Sequence, residues 1–148
     1  MKSRTIESVI IAERRGEFVD VTEELQRAIK DSAITEGCAV AYCRHTTCGL
    51  LINEWEDGAL EDLGGHLERL IPADGYFRHD DLGVRTQNLQ PGERANGRSH
   101  VVQMILGGTS HAIPVSSGEP LLGRWQRLIF VELDEPKERS LLFHVFGE

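Results

Sequence analysis

The sequence predicts a single α+β domain spanning residues 1–148, and three observations support this fold class. The chain has 148 residues, 40% of them hydrophobic, which is enough for one domain with its own core. Several apolar segments have the length of strands, and three others carry apolar residues at helical spacing. Strands and helices do not alternate regularly, so mixed or antiparallel sheets are expected rather than parallel βαβ units.

The N-terminal part of the chain predicts two strands and a helix. Residues 4–13 and 17–19 mix apolar and polar residues and are typical of strands. Asp20 and Thr22 are both candidate N-caps, and Asp20 with Glu23 fits a capping box, which predicts the start of a helix. Gly37 is the expected C-terminal glycine of that helix.

An apolar run at residues 38–45 then predicts a well-buried strand. Residues 46–49 interrupt it and residues 50–52 resume it, so we expect a bulge or bend at Gly49. The next helix begins near Asp57, carries one stripe of leucines and is stopped by Pro72.

The second half predicts one helix, several strands and a long polar segment. Residues 73–95 contain few apolar residues, and a connection of this length in a compact domain is usually functional or mobile. Asn96 or Ser99 can cap a helix that ends at Gly107. The remaining predicted strands are residues 109–115, 121–133 and 139–146.

Charge and hydropathy exclude several classes of protein. The formal net charge is -8, which argues against nucleic acid as the main partner. No apolar stretch approaches the roughly 20 residues that a membrane helix needs. The first residues lack the pattern of a signal peptide, so we expect a cytoplasmic protein.

The three cysteines fit neither a zinc site nor a redox motif. Cys38, Cys43 and Cys48 are evenly spaced by five residues, and an odd set of this kind predicts reduced, mostly buried thiols.

Three histidines lie where the regular elements end. His45 closes an apolar run, His79 precedes two aspartates, and His100 lies in the first turn of a predicted helix. Imidazole is the commonest metal ligand in proteins, so the three form a candidate site for a divalent, zinc-type metal ion. Each of them also has a plainer interpretation as a capping, loop or helix-start residue, because no spacing rule connects them.

Other polar residues are candidates for binding an anion or moving protons. Thr46 and Thr47 can form an anion cradle, Arg98 can pair with phosphate, and Gln126 can orient a ligand. Glu54 and Asp80 are the candidate catalytic carboxylates, as a general base or as partners that orient a histidine. Surface charge balance or local capping explains most of these residues equally well.

An ordered set of segments resembles the YjbQ-like family, whose members are described as secondary thiamine-phosphate synthases. The segments are residues 45–49, 53–54, 76–81, 85–89, 93–100, 122–126 and 130–134. The resemblance implies a β-sandwich-like core with about three helices and assembly as a homotrimer. It also implies a pocket near a subunit interface and a reaction in which pyrophosphate leaves.

We therefore expect a metal-assisted enzyme acting on a small phosphorylated metabolite, with weak thiamine-phosphate synthase activity as one form of it. The alternative is a non-catalytic trimeric protein that binds an anionic metabolite. A third interpretation is metabolite repair with synthase activity as a side reaction.

Overall fold

The chain folds into two antiparallel sheets and three α-helices, described by a computed structural model for residues 1–148. The strands are β1 (Lys2–Ile11), β2 (Phe18–Asp20), β3 (Glu36–Cys43), β4 (Cys48–Glu54), β5 (Ser110–Ser116), β6 (Glu119–Pro120), β7 (Gln126–Glu132) and β8 (Glu138–Gly147). The helices are α1 (Thr22–Ser32), α2 (Asp57–Leu70) and α3 (Gly97–Leu106), with a short 3₁₀ helix at Arg78–Asp80. Every strand pair is antiparallel, which confirms the predicted α+β class.

The main hydrophobic core lies between the two sheets. The larger sheet has the strand order β1-β8-β3-β5-β6 and the smaller one β2-β7-β4. Alternate residues of β3 and β8, such as Ala41 and Phe143, are fully buried, as expected when one face of a sheet covers a core. Leu25 and Ile29 of α1 complete this core. The two sheets thus form the sandwich-like arrangement that the family resemblance implied.

The three-stranded sheet packs against other elements on both faces, and α2 and α3 cover part of its outer face. Its outer face packs against α2 and α3 in a second cluster made of Leu67, Ile71, Val102, Val131 and Leu133. Burial on both faces explains why β7 reads as a continuous apolar run at residues 128–131 instead of an alternating one.

Helices α2 and α3 agree closely with their predicted bounds. α2 starts at Asp57 as predicted and ends just before Pro72. α3 ends at Gly107, whose φ of 72° lies in the left-handed region that glycine adopts easily. None of the helices combines the length and apolar character that crossing a membrane requires.

Two predictions about the ends of the first helix are wrong. Val21 precedes α1 without a side-chain cap, while Asp20 accepts a bond from the Thr22 amide instead of forming a capping box with Glu23. The helix ends at Ala33, in the left-handed region at φ 55°. Gly37 lies in β3, where a Cβ atom would stand 2.1 Å from the Phe146 carbonyl oxygen, so its role is close strand packing.

The bend predicted near Gly49 and the strand predicted at residues 121–133 also differ from the structure. Residues 44–47 do not bulge within one strand; they connect β3 in the larger sheet to β4 in the smaller sheet. Gly49 is an ordinary residue of β4. The long predicted strand 121–133 begins only at Gln126, because residues 121–123 are irregular and residues 124–125 form a turn.

A buried ion pair fastens the sheets together beside this connection. Arg139 of β8 donates two hydrogen bonds of 2.6 Å to Glu132 of β7, and both side chains are at least 95% buried. The Thr47 hydroxyl accepts from Arg139 at 3.2 Å, and the Cys48 thiol donates to Glu132 at 3.7 Å. All three cysteines are free, with Cys43 and Cys48 buried as predicted.

Removing one partner of this pair should destabilise the fold strongly. We expect Glu132→Gln to lower the free energy of unfolding by about 3–5 kcal/mol, because it leaves the Arg139 cation buried without a counter-charge. Denaturant unfolding followed by circular dichroism measures this. The exposed pair Arg44–Glu7 supplies the control, since Glu7→Gln should cost less than about 1 kcal/mol. Equal, small effects for the two variants would contradict the proposed role of the buried pair.

Candidate functional site

The Asp80 carboxylate joins the 3₁₀ helix to the start of α3. Its Oδ1 atom accepts hydrogen bonds from the Gly97 amide at 2.8 Å, the Asn96 amide at 3.0 Å and His79 Nδ1 at 3.0 Å. A carboxylate in this position satisfies free N–H groups at the helix start and opposes the positive end of its dipole. The helix start, which would otherwise favour an anionic ligand, is therefore filled by the protein's own Asp80.

Burial works against ionisation of Asp80, but its hydrogen bonds prevail. The bonds from His79 and from the Gly97 amide hold the pKa of the Asp80 carboxyl below its usual range. Asp80 is therefore a carboxylate at neutral pH and can only accept hydrogen bonds. His79 must then carry its proton on Nδ1 towards Asp80, which leaves the Nε2 lone pair available when the ring is neutral.

This arrangement places His79 beside His100. Their ring centroids are 4.5 Å apart and the ring planes are inclined by 41°. The close approach depends on Gly97, where a Cβ atom would stand 2.7 Å from the Phe77 Cβ and 3.0 Å from the His79 Cβ. A side chain at this position would push the 3₁₀ helix away from α3 and separate the two imidazoles.

His100 is held in its neutral form. Burial lowers the pKa of His100, and repulsion from His79 lowers it further, against the opposing effect of the Asp134 carboxylate. A neutral imidazole donates a hydrogen bond at one nitrogen and has a lone pair at the other, and this lone pair is what ligates a metal.

The two histidines line an open pocket of about 650 Å³, which we call the histidine pocket. Its other lining residues are Arg78, Val84, Arg85, Thr86, Gln87 and Asn88. The volume lies within the range of small-molecule sites, but the lining is almost entirely polar. A pocket with this lining suits a small anionic ligand better than an apolar one.

The two arginines of the histidine pocket have different roles. Arg85 donates to the carbonyl oxygens of His79, Gln87 and Asn88 and to the Glu93 carboxylate, so its guanidinium organises the segment that follows the 3₁₀ helix. Arg78 forms no salt bridge and no side-chain hydrogen bond in the structure. Its charge is therefore free to bind an anion, although the sequence analysis did not single it out.

His45 lies apart from the other two predicted metal ligands. Its Nε2 atom accepts a hydrogen bond of 3.1 Å from the Ser140 amide of β8, which uses that lone pair. Burial and the nearby Arg139 cation lower the pKa of His45. The structure thus brings together two of the three histidines within one chain.

Most of the predicted anion-binding side chains are engaged elsewhere. Arg98 donates to the Ile71 carbonyl oxygen at 2.7 Å and to Glu68 at 2.6 Å, which ties α3 to the end of α2. Thr47 is buried against Arg139, as described above, and Gln126 accepts from the Gly123 amide at 2.7 Å. Thr46, the residue before Thr47, is exposed. None of the four lines the histidine pocket.

The two predicted catalytic carboxylates are also separated. Asp80 supports the histidine pair, whereas Glu54 ends β4 and lines a different cavity with apolar side chains. A direct role for Glu54 at the histidines is therefore not supported by its position.

No group of three or more His, Cys, Asp or Glu side chains is arranged to hold a metal ion within the chain. His79 and His100 still offer adjacent imidazole nitrogens, which suit zinc-type ions. A third ligand would have to come from outside this set, and the three-histidine site remains a prediction.

Two kinds of comparison identify the family. The sequence profile described as UPF0047 protein YjbQ-like matches residues 7–148. A UPF0047 protein of Archaeoglobus fulgidus is 34% identical over 129 residues, covering 87% of this chain and 90% of that protein. Another from Methanothermobacter thermautotrophicus is 32% identical and covers 100% of this chain and 95% of its own length.

Solved structures share the same fold. A hypothetical protein from Aeropyrum pernix K1 superposes with a TM-score of 0.83 at 30% identity, covering 98% of this chain and 99% of that one. A protein from Sulfolobus solfataricus P2, described as YbjQ-like and of unknown function, gives a TM-score of 0.81 at 25% identity with 99% coverage of both chains. The chain therefore belongs to the YjbQ-like UPF0047 family.

Proposed function

We propose that the histidine pocket binds the phosphate group of a small metabolite and that the protein is an enzyme acting on that group. One observation carries this proposal: two adjacent imidazoles share a pocket with Arg78, an arginine that has no partner in the protein. A free guanidinium binds phosphate oxygens through charge-assisted, bidentate hydrogen bonds. Positive charge beside groups that transfer protons is the combination that reactions at phosphate need.

The histidines supply the acid–base chemistry in this proposal. The Asp80 carboxylate orients His79, so that His79 Nε2 can take a proton from an attacking hydroxyl or water. Neutral His100 can donate a hydrogen bond to a phosphate oxygen, while the proton that His79 has taken passes to the departing oxygen or to water. Reactions in this class include hydrolysis of a phosphate ester and transfer with loss of pyrophosphate, the step that thiamine-phosphate synthesis would require.

A divalent metal ion is an alternative to proton transfer by His79 within this proposal, because the single Nε2 lone pair of His79 cannot bind a metal and accept a proton at once. His79 Nε2 and a nitrogen of His100 are suitable donors, and oxygen atoms of the phosphorylated ligand can complete the set, because such ions are often bound partly through substrate phosphates. When bound, a zinc-type ion would neutralise phosphate charge. His45 remains a predicted third ligand that could act only if its bond to Ser140 were released.

A second candidate function is binding without catalysis, in a homotrimer. The observation that favours an interface near the site is a group of exposed apolar side chains on the segment that forms it: Tyr76, Leu82, Val84 and Leu89. Exposed apolar patches of this kind often mark contacts with another protein chain. Turnover distinguishes the two functions, because a binding protein would retain phosphorylated ligands unchanged.

The phosphate-binding role of Arg78 can be tested directly. We expect Arg78→Ala to weaken binding of inorganic pyrophosphate at least about tenfold, since a charge-assisted hydrogen bond contributes about 1.5–3 kcal/mol. Isothermal titration calorimetry at pH 7 gives the dissociation constants. Arg124→Ala is the matched control, because that arginine stacks on Trp125, outside the pocket, and its loss removes the same charge. Equal affinities of the wild type and Arg78→Ala would refute the proposal.

The metal contribution has its own test. Elemental analysis of the purified protein incubated with zinc and pyrophosphate should show bound zinc in the wild type and its loss in His79→Ala. His66→Ala serves as the control, because His66 is an exposed residue of α2 that contacts Arg69. Retention of the full zinc content in His79→Ala would exclude His79 as a ligand.

A further inference from the structure

We propose a second ligand site in the cleft beside α2 and the end of α3, specific for a small molecule with an apolar body and one positively charged nitrogen. We call it the apolar cleft. It has a volume of about 350 Å³ and lies on the outer face of the three-stranded sheet. Its lining residues are Leu50, Leu51, Ile52, Asn53, Glu54, Ala59, Leu60, Leu63, Leu106, His111 and Ile129.

The apolar cleft exists because the helices cover only part of the outer face of this sheet. The second core cluster fills the space near Leu67, Val102 and Val131. Beside it, Leu60 and Leu63 of α2 and Leu106 of α3 line open space above β4 and β7. Ile129 of β7 also lines this space although its side chain is fully buried, so the floor is recessed.

The apolar cleft has one charged group, the Glu54 carboxylate, and its other polar side chains are His111 and Asn53. His111 Nε2 donates to the Leu50 carbonyl oxygen at 2.9 Å, so Nδ1 is the ring nitrogen left for a ligand. The Glu54 carboxylate forms no salt bridge in the structure. No lysine or arginine lines the cleft. Apolar walls with acceptors and one negative charge complement an ammonium or amidinium group on an aromatic or branched aliphatic body.

A small molecule fits this space better than a protein partner. The volume falls at the lower end of the range for ligand pockets, which begins near 300 Å³. A stable protein interface buries about 800 Å² on each partner, whereas the cleft is lined by eleven residues around a buried floor.

The apolar cleft and the histidine pocket share no lining residue. They also differ in charge, because the histidine pocket contains two arginines and the cleft contains a carboxylate. A failure of phosphate binding in the histidine pocket would therefore not affect the proposal for the apolar cleft.

Binding of benzylammonium and of its uncharged counterpart benzyl alcohol, at pH 7, tests the site. We expect benzylammonium to bind about tenfold more tightly, because it alone can form a charge-assisted bond with Glu54. Titrations followed by NMR should shift the methyl signals of Leu51, Leu63 and Leu106. Equal affinities for the two compounds, or shifts confined to other residues, would overturn the proposal.

Two variants with a matched control sharpen the result. Glu54→Gln should weaken benzylammonium binding about tenfold, to the level of benzyl alcohol, while Glu61→Gln removes the same charge from α2 outside the cleft and should change neither affinity.

Ala59→Trp replaces an exposed helix residue with a ring that blocks the cleft, and should abolish binding of both compounds. Unchanged benzylammonium binding in Ala59→Trp would overturn the proposal. So would self-association in sedimentation that Ala59→Trp abolishes, because a second copy would then occupy the cleft.

Discussion

One carboxylate oxygen holds the candidate site together. Asp80 Oδ1 accepts from two backbone amides at the start of α3 and from the His79 ring, so a single atom fixes a helix end, a 3₁₀ helix and a histidine tautomer. Without it, the segment that carries His79 would have no polar connection to α3, and the contact between the two imidazoles would depend on packing alone. The same bonds keep Asp80 ionised, so the anchor retains its charge at neutral pH.

Packing and ion pairs away from the two histidines keep the Asp80 hydrogen bonds in place. α3 packs on the outer face of the three-stranded sheet and is tied to α2 through Arg98, so the helix start that Asp80 caps cannot shift easily. The Glu132–Arg139 pair joins β7 to β8. It lies next to Ser140, the residue whose amide donates to His45 in the connection after β3. Arg98 and Arg139 are therefore both paired within the protein, whereas Arg78 of the histidine pocket has no partner.

The sequence allowed the fold to be predicted better than the site. Leucine spacing and Pro72 predicted α2, and Gly107 predicted the end of α3, because both signals act within a few residues. Gly37 was misassigned since its role depends on the strand carrying Gly147, which is far away in sequence. The pairing of His79 with His100 depends on a bond across sixteen positions, from Asp80 to Asn96. Likewise, sequence could not show that Arg98 is paired and Arg78 is free.

The most direct test is a crystal structure of the protein grown with inorganic pyrophosphate at pH 7. The account predicts a phosphate group in the histidine pocket, within hydrogen-bond distance of the Arg78 guanidinium and of at least one of the two imidazoles, while the Asp80 bonds to α3 persist. Pyrophosphate bound elsewhere, or an empty histidine pocket at a saturating concentration, would contradict it.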